Sequence, residues 1–435
     1  MIACRPLPRF ESGCSCLPVA ARHSSLLKAT DRCVMCGMCL PHCPTYHLTR
    51  DEAESPRGRI ALIQGVLSGR LEQTPRLEAH LDHCLGCRAC EAVCPSGVAY
   101  GEIIDGARAA LAEQRPPAPR WRRLAWHWTT GVIADRRRLY RAARLLRLYQ
   151  RSGLQQLARL TGLTRRGTLG RLDALLPPLP APCAWPSQLP AQAEPRGEVG
   201  LFLGCVSDVA DRATLDAAAQ LLTRLGYRVH VPAAQTCCGA LHLHNGDPAT
   251  ARTLAQRNSA AFKAHTLEAI ITVASGCGAT LAEYPAQDGA ALGAPVRDIS
   301  TLLNTLDWPE ELRFAPLHKK VAVQDPCTLT HVLRQNQAPY SLLARIPQIE
   351  LIALPDNRRC CGAAGSYLLT QPAMAEKLRD EKIAALKASG AEILLTSNIG
   401  CALHLRAGLR AAGMEIEVMH PVALLARQLE TASDR

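Results

Sequence analysis

Cys33, Cys36, Cys39 and Cys43 stand before Pro44, and Cys84, Cys87, Cys90 and Cys94 stand before Pro95. Both runs read C-x2-C-x2-C-x3-C-P. A cubane iron–sulfur cluster has four iron corners, and each takes one thiolate. Three cysteines at three-residue steps wrap one face of it, and the fourth must come from elsewhere in the chain. Gly37 and Gly86 lie inside the runs, where a missing side chain lets backbone N–H groups approach the sulfides. Structural zinc also takes C-x2-C pairs but needs only four ligands per site. Two identical four-cysteine runs, each closed by proline, favour clusters over zinc.

The spelling is that of bacterial two-cluster ferredoxins, in which the last cysteine of each run ligates the other run's cluster. It assigns Cys33, Cys36, Cys39 and Cys94 to one [4Fe–4S] cluster and Cys43, Cys84, Cys87 and Cys90 to the second.

Eight further cysteines fall into two sets of a different kind. Cys205, Cys237, Cys238 and Cys277 recur as Cys327, Cys360, Cys361 and Cys401, at offsets of 122, 123, 123 and 124 residues. The phrases around them recur as well: VGLFLGC at 199 and VAVQDPC at 321, TCCGA at 236 and RCCGA at 359, EAIITVASGCGATL at 268 and AEILLTSNIGCALHL at 391. Such regularity marks two copies of one domain. Adjacent cysteines make a poor disulfide, because their Cα atoms are too close. They can bind one metal centre if the backbone turns, which Gly239 and Gly362 permit. An iron–sulfur centre is the favoured reading of each set, with zinc or a redox-active thiol pair as the alternatives.

These residues need elements to hold them. Between the ferredoxin runs, PRGRIALIQGVLSGR (56–70) has apolar residues at helical spacing; further helices are expected at 76–83 and 98–113, and one that begins near Ser24 or Ser25. The expected N-terminal domain is therefore an α-helical ferredoxin. Arg57 and Arg59 either offset cluster charge or form a solvated basic turn. In the repeats, LFL, AIITV, VAV and EILLT read as buried parallel strands. The cysteines follow their carboxyl ends, where open α/β sheets place ligands. Each copy is expected to be Rossmann-like, and the whole chain an α+β multidomain protein. The expected domains are an extension at 1–24, the ferredoxin at 25–114, a basic helical segment with a Pro-rich linker at 115–197, and the cysteine-rich copies at 198–310 and 319–430.

The net charge of +12 is concentrated: residues 115–171 carry fifteen arginines and one acid, Asp135. Trp121, Trp126 and Trp128 lie here, and Leu139, Leu145, Leu146 and Leu148 are expected to form an apolar stripe opposite the arginines. Membrane-surface binding, docking onto a partner subunit and a plain solvated linker all fit this segment. No nucleic-acid motif accompanies the charge. Residues 177–195 hold seven prolines and are expected to be an extended linker. Aromatic residues make up only 4% of the chain, so the cores are expected to be aliphatic. No run of about 18 apolar residues is present, and the N-terminus lacks the apolar centre of a signal peptide. A reducing, cytoplasmic setting is expected from the cysteine usage. Cys4, Cys14, Cys16 and Cys183 belong to no set.

The C-x31-CCG-x37-C and C-x32-CCG-x38-C sets resemble the CCG domains of heterodisulfide reductase-type proteins. With the ferredoxin and linker ahead of them, the chain resembles the iron–sulfur subunits of glycolate oxidase (glycolate dehydrogenase). The phrases DEAESPRGRIALIQGVLSG (51–69), HLDHCLGCRACEAVCPSGVAY (80–100), DPCTLTH (325–331) and CCGAAGSYLLTQPAMAEKLRDEK (360–382) carry the likeness. It extends over about residues 25–430. The resemblance implies a membrane-associated complex in which a separate FAD subunit oxidises glycolate to glyoxylate. Electrons would then pass through this chain to quinone or another acceptor. A peripheral place on the inner face of the cell membrane follows. No GxGxxG follows a strand and no P-loop is present, so the chain itself is not expected to bind flavin or nicotinamide. Related complexes that oxidise glycerol-3-phosphate or lactate are the nearest alternative, and a thiol–disulfide reductase acting through the CCG sites is one of another class. Against the latter, the heterodisulfide reductase sets end in C-x-x-C, and here those last positions are Thr280 and His404. His244, His331, His404 and His420 lie near the cysteine loops, where structural hydrogen bonding is the simpler role.

Overall fold

The computed structural model describes residues 19–114, 131–164, 167–181, 183–287 and 290–429. Cys4, Cys14, Cys16 and the three linker tryptophans lie outside them. The N-terminal unit is helical. Its first helix, Val19–Thr30, starts a turn before the expected serines. Pro56–Leu67 begins at Ser55, whose Oγ accepts from Gly58 N; Pro75–Asp82 begins at Thr74, whose Oγ1 accepts from Leu77 N. In both, proline occupies the first turn, where no N–H is needed. Tyr100–Gln114 is the longest helix of this unit. Ile60, Ile63, Leu77, Leu81, Ile103, Ile104 and Leu111 pack together, and Cys84 and Cys90 belong to the same core. Each such aliphatic side chain contributes about 1.5–3 kcal/mol by leaving water. Core formation and cysteine placement are therefore one event.

The linker helix Arg136–Arg151 departs from expectation. Arg136, Leu139, Tyr140 and Ala143 turn toward the protein, whereas Leu145 and Leu148 are 68% and 64% exposed. The leucines thus do not line up opposite the arginines: Leu145 and Leu148 share the outer face with the exposed Arg137, Arg138, Arg141 and Arg144. Asp208 anchors the inner face. It accepts from Arg136 Nε at 3.0 Å, Tyr140 Oη at 2.8 Å and Trp185 Nε1 at 3.0 Å.

The Pro-rich stretch is also more than a linker. Within it Gln188–Leu189 forms β1, an antiparallel edge strand on the first sheet. That sheet continues with β2 (Gly197–Phe202), β3 (Tyr227–His230), β4 (Ala269–Thr272) and β5 (Val296–Asp298), in the order β1-β3-β2-β4-β5. The second sheet has β6 (Lys320–Gln324), β7 (Glu350–Ala353), β8 (Ile393–Thr396) and β9 (Glu417–Met419), in the order β7-β6-β8-β9. Apart from β1 every pairing is parallel. Each copy therefore has strand order 2-1-3-4, which reverses direction beside its first strand.

The copies interlock. The final helix of the second copy, Pro421–Gln428, packs on Arg212–Arg224 of the first, and Ile299–Asn304 of the first packs on Ala338–Leu343 of the second. One buried core runs through both, from Val199 and Leu201 to Val321, Val323, Ile393 and Leu395. The carboxyl ends of the sheets also meet. Ser275 N donates to Ser397 O at 3.0 Å, and Ser275 Oγ lies 2.8 Å from Thr328 Oγ1.

Candidate iron–sulfur centres

The two ferredoxin runs fold against each other so that each cavity takes cysteines from both. Cys43, Cys84, Cys87 and Cys90 line one, together with Arg59, Tyr100 and Thr45. Cys33, Cys36, Cys39 and Cys94 line the other, together with Arg57, Pro95 and Val98. These are the crossed sets expected from the spacing. Gly37 at φ +82° turns the first run, and a Cβ there would lie 2.8 Å from Arg57 Nη1. Burial raises the thiols of Cys87 and Cys90, and pushes that of Cys39 up to about 11. Ligands that must lose their protons to bind iron are thus held protonated without it, and loading releases protons. Four sulfurs lining one cavity, with two donors near Cys84 Sγ in the first, suit a cubane. Gly86 N lies 3.5 Å and Tyr100 Oη 3.7 Å from Cys84 Sγ.

The two arginines differ. Arg57 is on the surface, paired with Glu52 at 2.6 Å, and its Nη1 donates to Met35 O at 3.0 Å beside the second cavity. Arg59 is 1% exposed, so the solvated-turn reading fails for it. It donates to Glu54 Oε2 at 2.6 Å, to Thr45 Oγ1 at 3.1 Å and to His80 O at 2.6 Å. Glu54 Oε1 in turn takes His80 Nδ1 at 2.7 Å and His83 Nδ1 at 2.8 Å. Burial opposes charge on Glu54, but the His83 and His80 hydrogen bonds and the Arg59 charge outweigh it and hold the carboxyl below its usual range. Thr45 Oγ1 lies 3.3 Å from Cys43 Sγ, and His83 precedes Cys84, so this network braces two ligands of one cavity. Nothing in the spacing of Glu54, His80 and His83 marks them; only burial does.

In each CCG copy the four cysteines come together at the carboxyl ends of the strands. Cys205 shares a hydrogen bond with Cys237, Cys237 with Cys238, and Cys238 with Cys277. In the second copy Cys327 pairs with Cys360, Cys360 with Cys361, and Cys361 with Cys401. Hydrogen bonds donated by neighbouring thiols lower Cys237 and Cys361, while the donors Cys205, Cys238, Cys360 and Cys401 are raised. Gly239 at φ +85° and Gly362 at φ +91° make the turn, and Gly239 N and Gly362 N each lie 3.5 Å from the sulfur two residues before. Asn258 and Tyr284 brace the first loop through Cys237 O at 3.0 Å and Cys238 O at 2.7 Å.

The four histidines hold structure. His244 pairs with Asp105 at 3.1 Å across the domains, His331 Nε2 meets Arg358 O at 2.8 Å, and His404 Nε2 meets Ala375 O at 3.0 Å. His420 Nδ1 accepts from Val422 N at 3.0 Å to start the last helix. Thr280 Oγ1 is tied to Gly276 O at 3.1 Å. Cys183 is exposed, and every described cysteine is free.

The ferredoxin unit touches both copies, but differently. Toward the first, the contacts are polar: His244 with Asp105, Arg88 with Glu283, and Arg108 with His244 O. Toward the second they include sulfur, for Cys87 and Cys360 share a small buried cluster with Ala89, against which Cys327 and Leu85 pack.

Comparison with known proteins follows the same division. Residues 29–98 match a family described as 4Fe-4S dicluster domain, and 199–282 and 321–406 match one described as cysteine-rich domain. Residues 121–176 match one described as the linker region of glycolate oxidase iron-sulfur subunits. A probable glycolate oxidase iron-sulfur subunit of Bacillus subtilis is 36% identical over 413 residues, covering 90% of this chain and 92% of that protein. The glycolate oxidase iron-sulfur subunit of Escherichia coli is 34% identical, covering 94% and 96%. Lactate utilization protein A of Bacillus velezensis is 29% identical, covering 52% of this chain and 98% of that protein.

Proposed function

This chain belongs to the family of glycolate oxidase iron–sulfur subunits, and from that premise we propose that it relays electrons from a flavin subunit oxidising glycolate to glyoxylate. The acceptor is quinone or another electron acceptor. The observation that carries this reading is the pair of cavities, each lined by four cysteines drawn from both runs. Cys33, Cys36, Cys39 and Cys94 hold one [4Fe–4S] cluster, and Cys43, Cys84, Cys87 and Cys90 hold the other. The CCG cysteines suit a further centre in the same way. When bound, the clusters supply one-electron redox chemistry; the chain supplies ligands, burial and hydrogen bonds that set their potentials. Glycolate is favoured over lactate because the glycolate oxidase subunits match about nine-tenths of the chain and the lactate utilization protein about half.

No described helix is long and apolar enough to cross a membrane. We place the subunit peripherally, through the outer face of Arg136–Arg151, where Leu145 and Leu148 are exposed among arginines. Each arginine close to an anionic surface adds about 1 kcal/mol of attraction. Changing Arg137, Arg138, Arg141 and Arg144 to Glu should release the complex from membranes; unchanged recovery in the membrane fraction refutes that placement.

Iron content and electron paramagnetic resonance of the anaerobically purified complex test the central reading. About eight irons correspond to two cubanes, and about twelve or more to occupied CCG sites as well. Four or fewer would refute the ligand assignment.

A further inference from the structure

The two CCG copies share a register, yet at one buried position a neutral side chain in the first is replaced by a lysine in the second. The helices Pro248–Lys263 and Pro372–Ser389 start at corresponding prolines, 124 residues apart. A Cβ on Gly239 would meet Ala251 O, and one on Gly362 would meet Ala375 O, the two alanines again 124 residues apart. That register places Lys382 where the first copy has Asn258.

Asn258 is neutral and fully used, with Thr236 N at 2.7 Å, Cys237 O at 3.0 Å and Tyr284 Oη at 3.1 Å. Lys382 is 5% exposed. Its Nζ donates to Asp356 O at 2.6 Å, in the loop that leads into Cys360. Among the described residues no carboxylate forms an ion pair with it. The Asp356 carboxylate is instead engaged by Arg359 at 3.3 Å. A lysine is almost never buried without a counter-charge. Burial disfavours its charge, and negative charge on the sulfurs of Cys361 and Cys360, together with the nearby Asp356 and Asp325 carboxylates, favours it.

A second asymmetry points to the same copy. The buried cluster of Cys87 and Cys360, with Cys327 against it, joins the second copy's sulfurs to a ferredoxin cavity. In the first copy, the contacts with the ferredoxin unit run through His244 and Glu283 rather than a cysteine.

We propose that Lys382 is the buried counter-charge of an anionic iron–sulfur centre held by Cys327, Cys360, Cys361 and Cys401. It raises that centre's potential and makes the second copy, not the first, the one that exchanges electrons with the Cys43, Cys84, Cys87 and Cys90 cluster. This rests on the electron-relay reading above. The transfer moves one electron, supplied by the partner's reduced flavin, and makes or breaks no bond. Reduction adds negative charge to the centre, so a fixed cation beside it favours the reduced form. Lys382 acts on the centre through space and is a positioning residue rather than a ligand.

The test is a redox titration followed by electron paramagnetic resonance on the anaerobically purified complex. Lys382→Gln should shift one signal, the one lost in Cys360→Ser, about tenfold toward the oxidised form, equal to about 59 mV for one electron. Lys382→Arg should restore it, and Lys377→Gln, an exposed lysine on the same helix, should leave it in place. The two ferredoxin signals should stay where they are in every variant. A shift confined to a ferredoxin signal, or no shift at all, overturns the proposal. Wild-type complex gives an independent check if Lys382→Gln does not fold: the second-copy spin should broaden the signal of the neighbouring cubane, and absence of that interaction counts against the proposal. Eight irons in the wild type would sink it while leaving the two-cubane relay intact; four or fewer would sink both.

Discussion

Glu54 is the position at which a single substitution should cost most for the least change in shape. Its carboxylate is the only acid paired with Arg59 among the described residues, at 2.6 Å, and the two side chains are 4% and 1% exposed. Glu54→Leu leaves the Arg59 charge buried without a partner and removes the acceptor of His80 and His83. Breaking a buried pair on one side costs about 3–5 kcal/mol. Domain stabilities are about 5–15 kcal/mol, so that loss is a large share of the whole. The expected result is a thermal midpoint lower by roughly 10 °C and a loss of about four irons from the complex, because Thr45 and His83 no longer hold Cys43 and Cys84 in place. The double variant Glu54→Leu, Arg59→Met should recover most of the stability, since replacing both partners is nearly neutral. Thermal melts of the four proteins in the cycle, with iron analysis, decide it. If the single variant loses less than about 1 kcal/mol, or the double is no better than the single, the reasoning fails. A pH dependence follows too. The folded state holds the Glu54 carboxyl below its ordinary value of 4.5, so its contribution is present above that value and disappears as the pH falls through and below it. Wild type should therefore lose stability on acidification more steeply than the double variant.

Three other substitutions separate local strain from anchoring. Gly362→Ala forces an L side chain to φ +91° with its Cβ 2.5 Å from Ala375 O, whereas Gly239→Ala brings Cβ to 3.2 Å from Ala251 O. Both should destabilise by at least about 1–2 kcal/mol, and Gly362→Ala by more; equal or reversed losses in thermal melts would contradict the geometry. Asp208→Ala removes the acceptor shared by Arg136, Tyr140 and Trp185, at a cost of about 1.5–3 kcal/mol for the charged hydrogen bond alone. Limited proteolysis should then cut within Arg136–Arg151 markedly faster than in wild type, and unchanged cutting would show that the helix is held some other way.

Much of the molecule was legible before folding, because the information is local. Ligand spacing within a cysteine run is set by the size of a cubane, and PRGRIALIQGVL carries both its proline start and its helical apolar spacing. The buried strands announce themselves as short aliphatic runs, and the duplication shows in repeated phrases at a nearly constant offset. Glycine after each cysteine pair had to be there, since the chain turns through the left-handed region at that point.

Other features depend on which surfaces meet, and no periodicity records that. The leucines of the linker helix looked like a stripe, but the helix is oriented by Asp208, a residue about 70 positions away, so Leu145 and Leu148 point outward. Two residues of a Pro-rich stretch became an edge strand because β3 offered an unpaired edge. Arg59 could not be told from Arg57 by sequence; burial against Glu54 turns one into a structural cation and leaves the other on the surface. The two CCG copies look alike as cysteine patterns. Packing alone brings Cys360 and Cys327 to Cys87 and keeps the cysteines of the first copy out of that cluster. Cysteine type and spacing thus determine what chemistry the chain can hold. Which centre neighbours which, and what charge each one senses, is decided by long-range burial, where the low dielectric makes an unpaired charge costly and so gives each partner its meaning.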